Sequence, residues 1–228
     1  MTDASPASIL AQALRWKDDG AAVALATIAR TWPTSPLRAG SQMAVGQHGA
    51  HFGSVFGPAI DAQVAQAAQA MLAAGVARSM QVVVDDATAT AAGLACGGAM
   101  EIRLEAVRDG SGGQLAVLRA TLAAVRERRS VVLCTWLADG RRELLPANAS
   151  GAAGPWAVEA LRRARIDETG IASVEDGELL YQVFNAPLRL YVVGAVRIAA
   201  ALIEAARLLG FEAILVDPRA ERMGAMAC

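Results

Sequence analysis

The stretch Ala91-Ala92-Gly93-Leu94-Ala95-Cys96-Gly97-Gly98-Ala99-Met100 sets a single thiol directly ahead of two glycines. A thiolate is a nucleophile and a soft metal donor. Glycines beside it remove side chains and let a bulky group reach main-chain amides. On spacing alone, Cys96 reads either as a working thiol in an open loop or as a small apolar residue packed before a turn. The other cysteines, Cys134 and Cys228, lie far away with no Cys-x-x-Cys pair. Neither a disulfide framework nor a thiolate zinc site is encoded, and each thiol is expected to be free. Cys134, inside an apolar run, reads as core.

A second cluster of chemistry-bearing residues is Arg38, Gly40, Ser41 and Gln42 in the loop Pro33-Thr34-Ser35-Pro36-Leu37-Arg38-Ala39-Gly40-Ser41-Gln42. A guanidinium, a hydroxyl and exposed amides together suit a phosphate or an appended nucleotide, and an ordinary solvated arginine fits equally well. His48 and His51 are spaced for a shared metal, but Gly46, Gly49 and Gly53 around them mark a turn between strands, the stronger reading.

These residues need elements to hold them. With 54% hydrophobic residues in 228, the chain has ample material for a core, while only 4% aromatics favour close, small-grained packing. Twenty-one basic and 22 acidic residues give a net charge of −1 and no basic stripe, which argues against nucleic acid as a partner. The N-terminus lacks a signal-peptide pattern and no apolar run reaches membrane-span length, so a cytoplasmic protein with no membrane partner is expected.

Periodicity predicts helices over 7–18, 61–75, 114–129 and 154–166, with Asp61 placed as a helix N-cap. Strands are predicted over 21–32, 79–86, 99–107, 130–138, 141–146 and 177–185, with two short strands around the glycine turn within 42–56 and a hairpin at Asp139-Gly140. The Cys96 motif falls in a loop between strands. From 188 to 219 the order is strand, glycine turn, helix, Gly210, strand and Asp217, the start of a Rossmann-like unit. The fold class is therefore α/β: an N-terminal mixed-sheet domain over 1–186 and a partial Rossmann-like strand-helix-strand over 187–228. Val192, Val193, Ile214 and Leu215 leave an apolar parallel edge that needs cover, for which a homodimer is expected.

Several segments together resemble the XdhC/CoxI family, maturation factors that handle molybdenum cofactor for xanthine dehydrogenase-type hydroxylases. They are "ATIARTWPTSPLRAGSQMAV", "HFGSVFG", "AAGLACGGAMEI", "VFNAPLRLYVVGA" and "LLGFEAILVDPR". The resemblance implies a chaperone more than an enzyme, with no catalytic residue. Such a protein would bind the molybdopterin form of the cofactor, with or without a cytidine nucleotide, assist its sulfuration and deliver it to an apo-hydroxylase, with a cysteine desulfurase as a further partner. It makes Cys96 the metal-facing thiol, with Gly97 and Gly98 giving room, and Arg38, Gly40, Ser41, Gln42, Gly57 and Asp61 as further cofactor-binding residues.

The chain departs from that family at three places. The family's Ser-Gly-Gly-Cys becomes Gly57-Pro58-Ala59 after Phe56, so its other cysteine is replaced by Ala59. The family's Gly-Ala-Gly-His becomes Gly194-Ala195-Val196-Arg197, which argues against NAD(P) or FAD there. The Rossmann-like unit is also shorter than the family's. Two other readings follow: a protein-contact scaffold that binds no cofactor, and a small Rossmann-type oxidoreductase.

Overall fold

The structure is a computed structural model that describes residues 5–91, 93, 96–108, 114–151, 154–175 and 177–219. Leu94 and Ala95 of the Cys96 motif, and Cys228, lie outside the described residues. The chain divides into two compact units, Met1–Asn185 and Ala186–Cys228.

In the first unit the order is α1 (Pro6–Asp18), β1 (Ala24–Arg30), β2 (Gln42–Val45), β3 (His51–Gly53), α2 (Pro58–Ala74), β4 (Arg78–Val84), α3 (Asp86–Ala91), β5 (Gly98–Ala106), α4 (Gln114–Arg126), β6 (Val131–Trp136), β7 (Arg142–Pro146), α5 (Pro155–Ile166), β8 (Gly170–Val174) and β9 (Gly177–Phe184). Two sheets form, in the orders β3-β2-β1-β5-β4 and β7-β6-β9-β8. The class is α/β. The mixture is one of helices with sheets and not of strand directions, since every pair within these two sheets is antiparallel. Tight hairpins (β2–β3, β6–β7, β8–β9) favour that pairing, because parallel neighbours need long crossovers.

Alternation along the strands builds the layers. Ala24, Ala26 and Ile28 of β1 face the same way as Met100, Ile102 and Leu104 of β5, and Ile60, Val64, Ala68 and Met71 of α2 cover them. The opposite face carries Leu25 and Ala44, which join Leu10 and Leu14 of α1, Leu118 and Leu122 of α4, and Leu133 and Phe184 of the second sheet. The far face of that sheet, with Val132, Cys134, Leu179 and Tyr181, is covered by Ala160 and Ala164 of α5. Each large apolar side chain so buried contributes about 1.5–3 kcal/mol. The long run at β1 is a strand buried on both faces, as its unbroken hydrophobicity predicts.

Two elements were not visible as such in the sequence. Asp86–Ala91, inside the expected loop, forms the short helix α3, and Gly170–Val174 forms β8. A six-residue Asp-Ala-Thr-Ala-Thr-Ala run has little helix propensity of its own. Asp85 supports it locally by accepting from the Thr88 amide at 2.7 Å.

In the second unit, β10 (Arg189–Val193), α6 (Arg197–Leu208) and β11 (Glu212–Val216) make one strand-helix-strand, with β10 and β11 parallel in the register Tyr191↔Ile214. Ala199 and Ala206 of α6 are buried, whereas Val193, Ile198 and Leu208 are 80%, 75% and 89% exposed.

Candidate functional site

The Cys96 loop is shaped by strand pairing. β1 and β5 run antiparallel with Arg30 opposite Glu101, so the segment leaving β1 lies beside the segment entering β5. That puts the exposed Cys96 thiol 3.3 Å from Thr34 Oγ1. The next amide, Gly97 N–H, donates to Asp86 Oδ1 at 2.9 Å, which ties the thiol loop to α3.

The two glycines are needed, but for another purpose than the one expected. A Cβ on Gly97 would stand 2.0 Å from the Val84 carbonyl oxygen, and one on Gly98 would stand 2.4 Å from the Trp32 ring. The room they leave is taken by the chain itself, so it is not a cradle for a pterin. Close approach of β4 to β5 requires the first glycine, and the indole packed on the strand requires the second. Trp32 also meets Phe56, with ring centroids 5.9 Å apart. Three of the quoted segments therefore converge on one indole: its own, the one carrying Phe56, and the one carrying Cys96.

Asp61 is not a helix N-cap. α2 starts three residues earlier at Pro58, with Gly57 as its cap and proline in its first turn. The Asp61 side chain, 5% exposed, turns back to the preceding loop. It accepts from Ser54 Oγ at 2.6 Å and from the amides of Val55, Phe56 and Gly57 at 2.9, 3.2 and 3.4 Å. Asp61 and the Gly57 amide thus hold each other and the loop that presents Phe56. Ala59 is exposed in the first turn of α2.

The loop expected to bind a phosphate is split by the structure. Arg38, Gly40 and Ser41 line an open hollow of about 310 Å³ with Asp167, Glu168 and Thr169, and Cys96 is not among its lining residues. Gly40 adopts φ +92°, and a Cβ there would meet Thr169 Cγ2 at 2.7 Å. Gln42 is elsewhere: it begins β2, is 4% exposed, and donates from Nε2 to Thr27 Oγ1 at 3.0 Å inside the protein. Strand alternation sends its side chain inward.

His51 Nδ1 lies 3.4 Å from the Gly49 carbonyl, and His48 occupies a left-handed turn position at φ +60°. Among the described residues, no group of three or more His, Cys, Asp or Glu is placed to hold a metal ion. Cys134 is fully buried, and burial first, then nearby Glu143, pushes its thiol up to about 12. In the second unit, Asp217 accepts from the Ala195 amide at 2.7 Å and pairs with Arg219 at 2.7 Å. The Arg219 guanidinium, then the amides of Ala195 and Arg219, hold its carboxyl well below the usual range. Its lone pairs are engaged by its own turn.

Comparison with known proteins gives a match over part of the chain. Residues 16–85 match the model of the XdhC and CoxI family. The matched span carries Trp32, Thr34, Arg38, Phe56 and Asp61, and ends at the residue before Asp86. A solved structure described as a xanthine dehydrogenase from Bacillus halodurans is similar in fold, with a TM-score of 0.62 at 19% identity over 96% of this chain. This chain spans 64% of that protein's length. No curated protein matches it. Among the described residues, no helix is long and apolar enough to cross a membrane.

The residues that sequence reasoning missed are Thr34, Trp32 and Asp86. Each sat within a quoted or neighbouring stretch, but none carried a spacing signal, because their partners lie 11 to 66 residues away.

Proposed function

We propose that this chain is a molybdenum-enzyme maturation factor that holds the molybdenum cofactor through Cys96 and delivers it to an apo-hydroxylase of the xanthine dehydrogenase kind. The match of residues 16–85 to the XdhC and CoxI family model supports the broader role in molybdoenzyme maturation. The observation that carries the finer reading is the exposed Cys96 thiol, which lies beside the Thr34 hydroxyl and in a loop tied to Asp86 through the Gly97 amide.

The residues present fit such a cargo as a single soft donor. A molybdenum centre that arrives with its own dithiolene sulfurs needs no pre-built cluster of protein ligands, and a lone accessible thiolate suits it. Bound there, the cofactor would supply a soft metal–sulfur centre; the protein supplies the Cys96 sulfur, the Thr34 hydroxyl that orients it, and the Trp32–Phe56 pair beneath the loop. The hollow at Arg38, Gly40 and Ser41 sets one guanidinium against the carboxylates of Asp167 and Glu168, a lining that fits a terminal phosphate poorly. Sulfur for the terminal ligand would come from a cysteine desulfurase. The apolar surface of the second unit, with Val193, Ile198 and Leu208, supports a homodimer.

A scaffold that binds no cofactor is favoured by one observation, Ala59 exposed at the place of the family's other thiol. The deciding experiment is molybdenum and pterin content of protein purified without oxygen from a host that makes the cofactor. Cofactor on the wild type, lost in Cys96→Ala with the fold intact, is the expected result. A wild type free of cofactor, in a host shown to make it, overturns carriage in favour of the scaffold.

A further inference from the structure

A polar seam runs through the layer where the two sheets of the first unit meet. Across the first sheet, Thr27 stands in register with both Gln42 and Arg103, and Leu25 with Glu105. Across the second, Arg142 stands opposite Thr135, and Leu133 opposite Gln182. Toward its end β5 is buried on its polar face too, with Arg103 and Glu105 each 7% exposed.

Arg142 Nη2 donates to Glu105 at 2.9 Å, and Arg103 Nε lies 3.6 Å from the same carboxylate. Arg103 Nη2 donates further to the Leu137 carbonyl at 3.1 Å. Two guanidiniums share one carboxylate, which leaves a formal excess of one positive charge in the interior. A buried charge without a counter-charge is strongly unfavourable.

Beside this triad is an interior cavity of about 10 Å³ whose polar lining is Thr27, Gln42, Glu105, Arg142 and Gln182. Among the described residues, Arg142 Nε and Nη1, Gln182 Nε2 and Gln42 Oε1 have no hydrogen-bond partner. Arg142, Gln182 and Gln42 are 6%, 5% and 4% exposed, so solvent does not satisfy them. The oxygen and nitrogen of Gln42 are interchangeable by rotation of its amide, with the Thr27 hydroxyl then donating where it now accepts. In that orientation every unpaired group on the cavity wall is a donor.

We propose that this cavity binds one monatomic, monovalent anion, chloride being the abundant one, held by Arg142 and the amides of Gln182 and Gln42. Its size leaves room for one small body and excludes polyatomic anions. A water would fill the space without balancing the charge, and two guanidiniums against the single Glu105 carboxylate disfavour a cation. The anion would bridge the two sheets and stabilise their packing.

The test is thermal unfolding of the full chain in sodium chloride or bromide against sodium gluconate at constant ionic strength. The midpoint is expected to rise saturably with halide, by about 3–6 °C at tenfold excess over Kd. Gln182→Glu, which places a fixed carboxylate against Arg142, is expected to abolish the halide dependence. Crystals of the wild type grown in bromide are expected to show an anomalous peak between Arg142 and Gln182, a readout that needs no variant. Equal midpoints in halide and gluconate, or a water in the cavity without anomalous signal, would overturn the proposal.

Discussion

The Cys96 sulfur and the Thr34 hydroxyl lie 3.3 Å apart across 62 residues of sequence. Antiparallel pairing of β1 with β5 brings them together, since the residues just past one strand end face those just before the other strand's start. In the native protein an alkylating reagent followed by peptide mapping is expected to label Cys96 while Cys134 stays silent until unfolding, because only the first is exposed. Thr34→Val removes the sulfur's partner and leaves the thiol accessible. Cofactor retention is expected to fall about two- to tenfold, the equivalent of one hydrogen bond, and Thr34→Ser to restore it.

Gly98→Ala forces a Cβ into the Trp32 ring, 2.4 Å away. Overpacking of this kind costs about 1–3 kcal/mol, a fall of roughly 2–4 °C in Tm for each kcal/mol in a chain of this size. Since the clash is with one side chain, combining it with Trp32→Leu is expected to be less than additive in a double-mutant cycle. Full additivity would place the strain elsewhere.

Asp61→Ala leaves the Ser54 hydroxyl and the amides of Val55, Phe56 and Gly57 without their acceptor. A loss on the order of 3 kcal/mol is expected, read as a lower urea midpoint at unchanged m-value. Asp61→Asn keeps one acceptor oxygen and is expected to recover part of it. Phe56 should also loosen from Trp32, visible as a change in tryptophan fluorescence.

Glu159 on α5 accepts from Arg162 Nε and Nη2 at 2.8 Å each and from Arg163 Nε at 2.7 Å. The Arg162 hydrogen bonds first, then those of Arg163, lower its carboxyl from 4.5 to about 2. A carboxyl depressed in the folded state stabilises fully above its unfolded value and loses that contribution as pH falls through the folded one. Glu159→Gln is therefore expected to lower stability at neutral pH and to flatten its fall between about pH 4.5 and 2. An unchanged slope over that window would remove this pair from the acid response.

Hydrophobic period alone determined the α/β class, α2 and α4, the buried β1 and the core place of Cys134, because which residues share a face follows from 3.6- and 2-residue repeats. The Cys96 motif and its departures at Ala59 and Val196 were equally legible. Tertiary structure decided what each face meets. It turned Gln42 away from Arg38 and into the seam, since pairing of β2 with β1 sets it in register with Thr27 on the same face. It gave the space beside Gly97 and Gly98 to Val84 and Trp32, and it supplied Thr34 and Asp86 to Cys96. It also buried Arg103 and Glu105 against a second sheet whose Arg142 lies 37 residues beyond Glu105. Local periodicity sets which way a side chain points, but its neighbour is set by strand register between distant segments, and that emerges only when the sheets close.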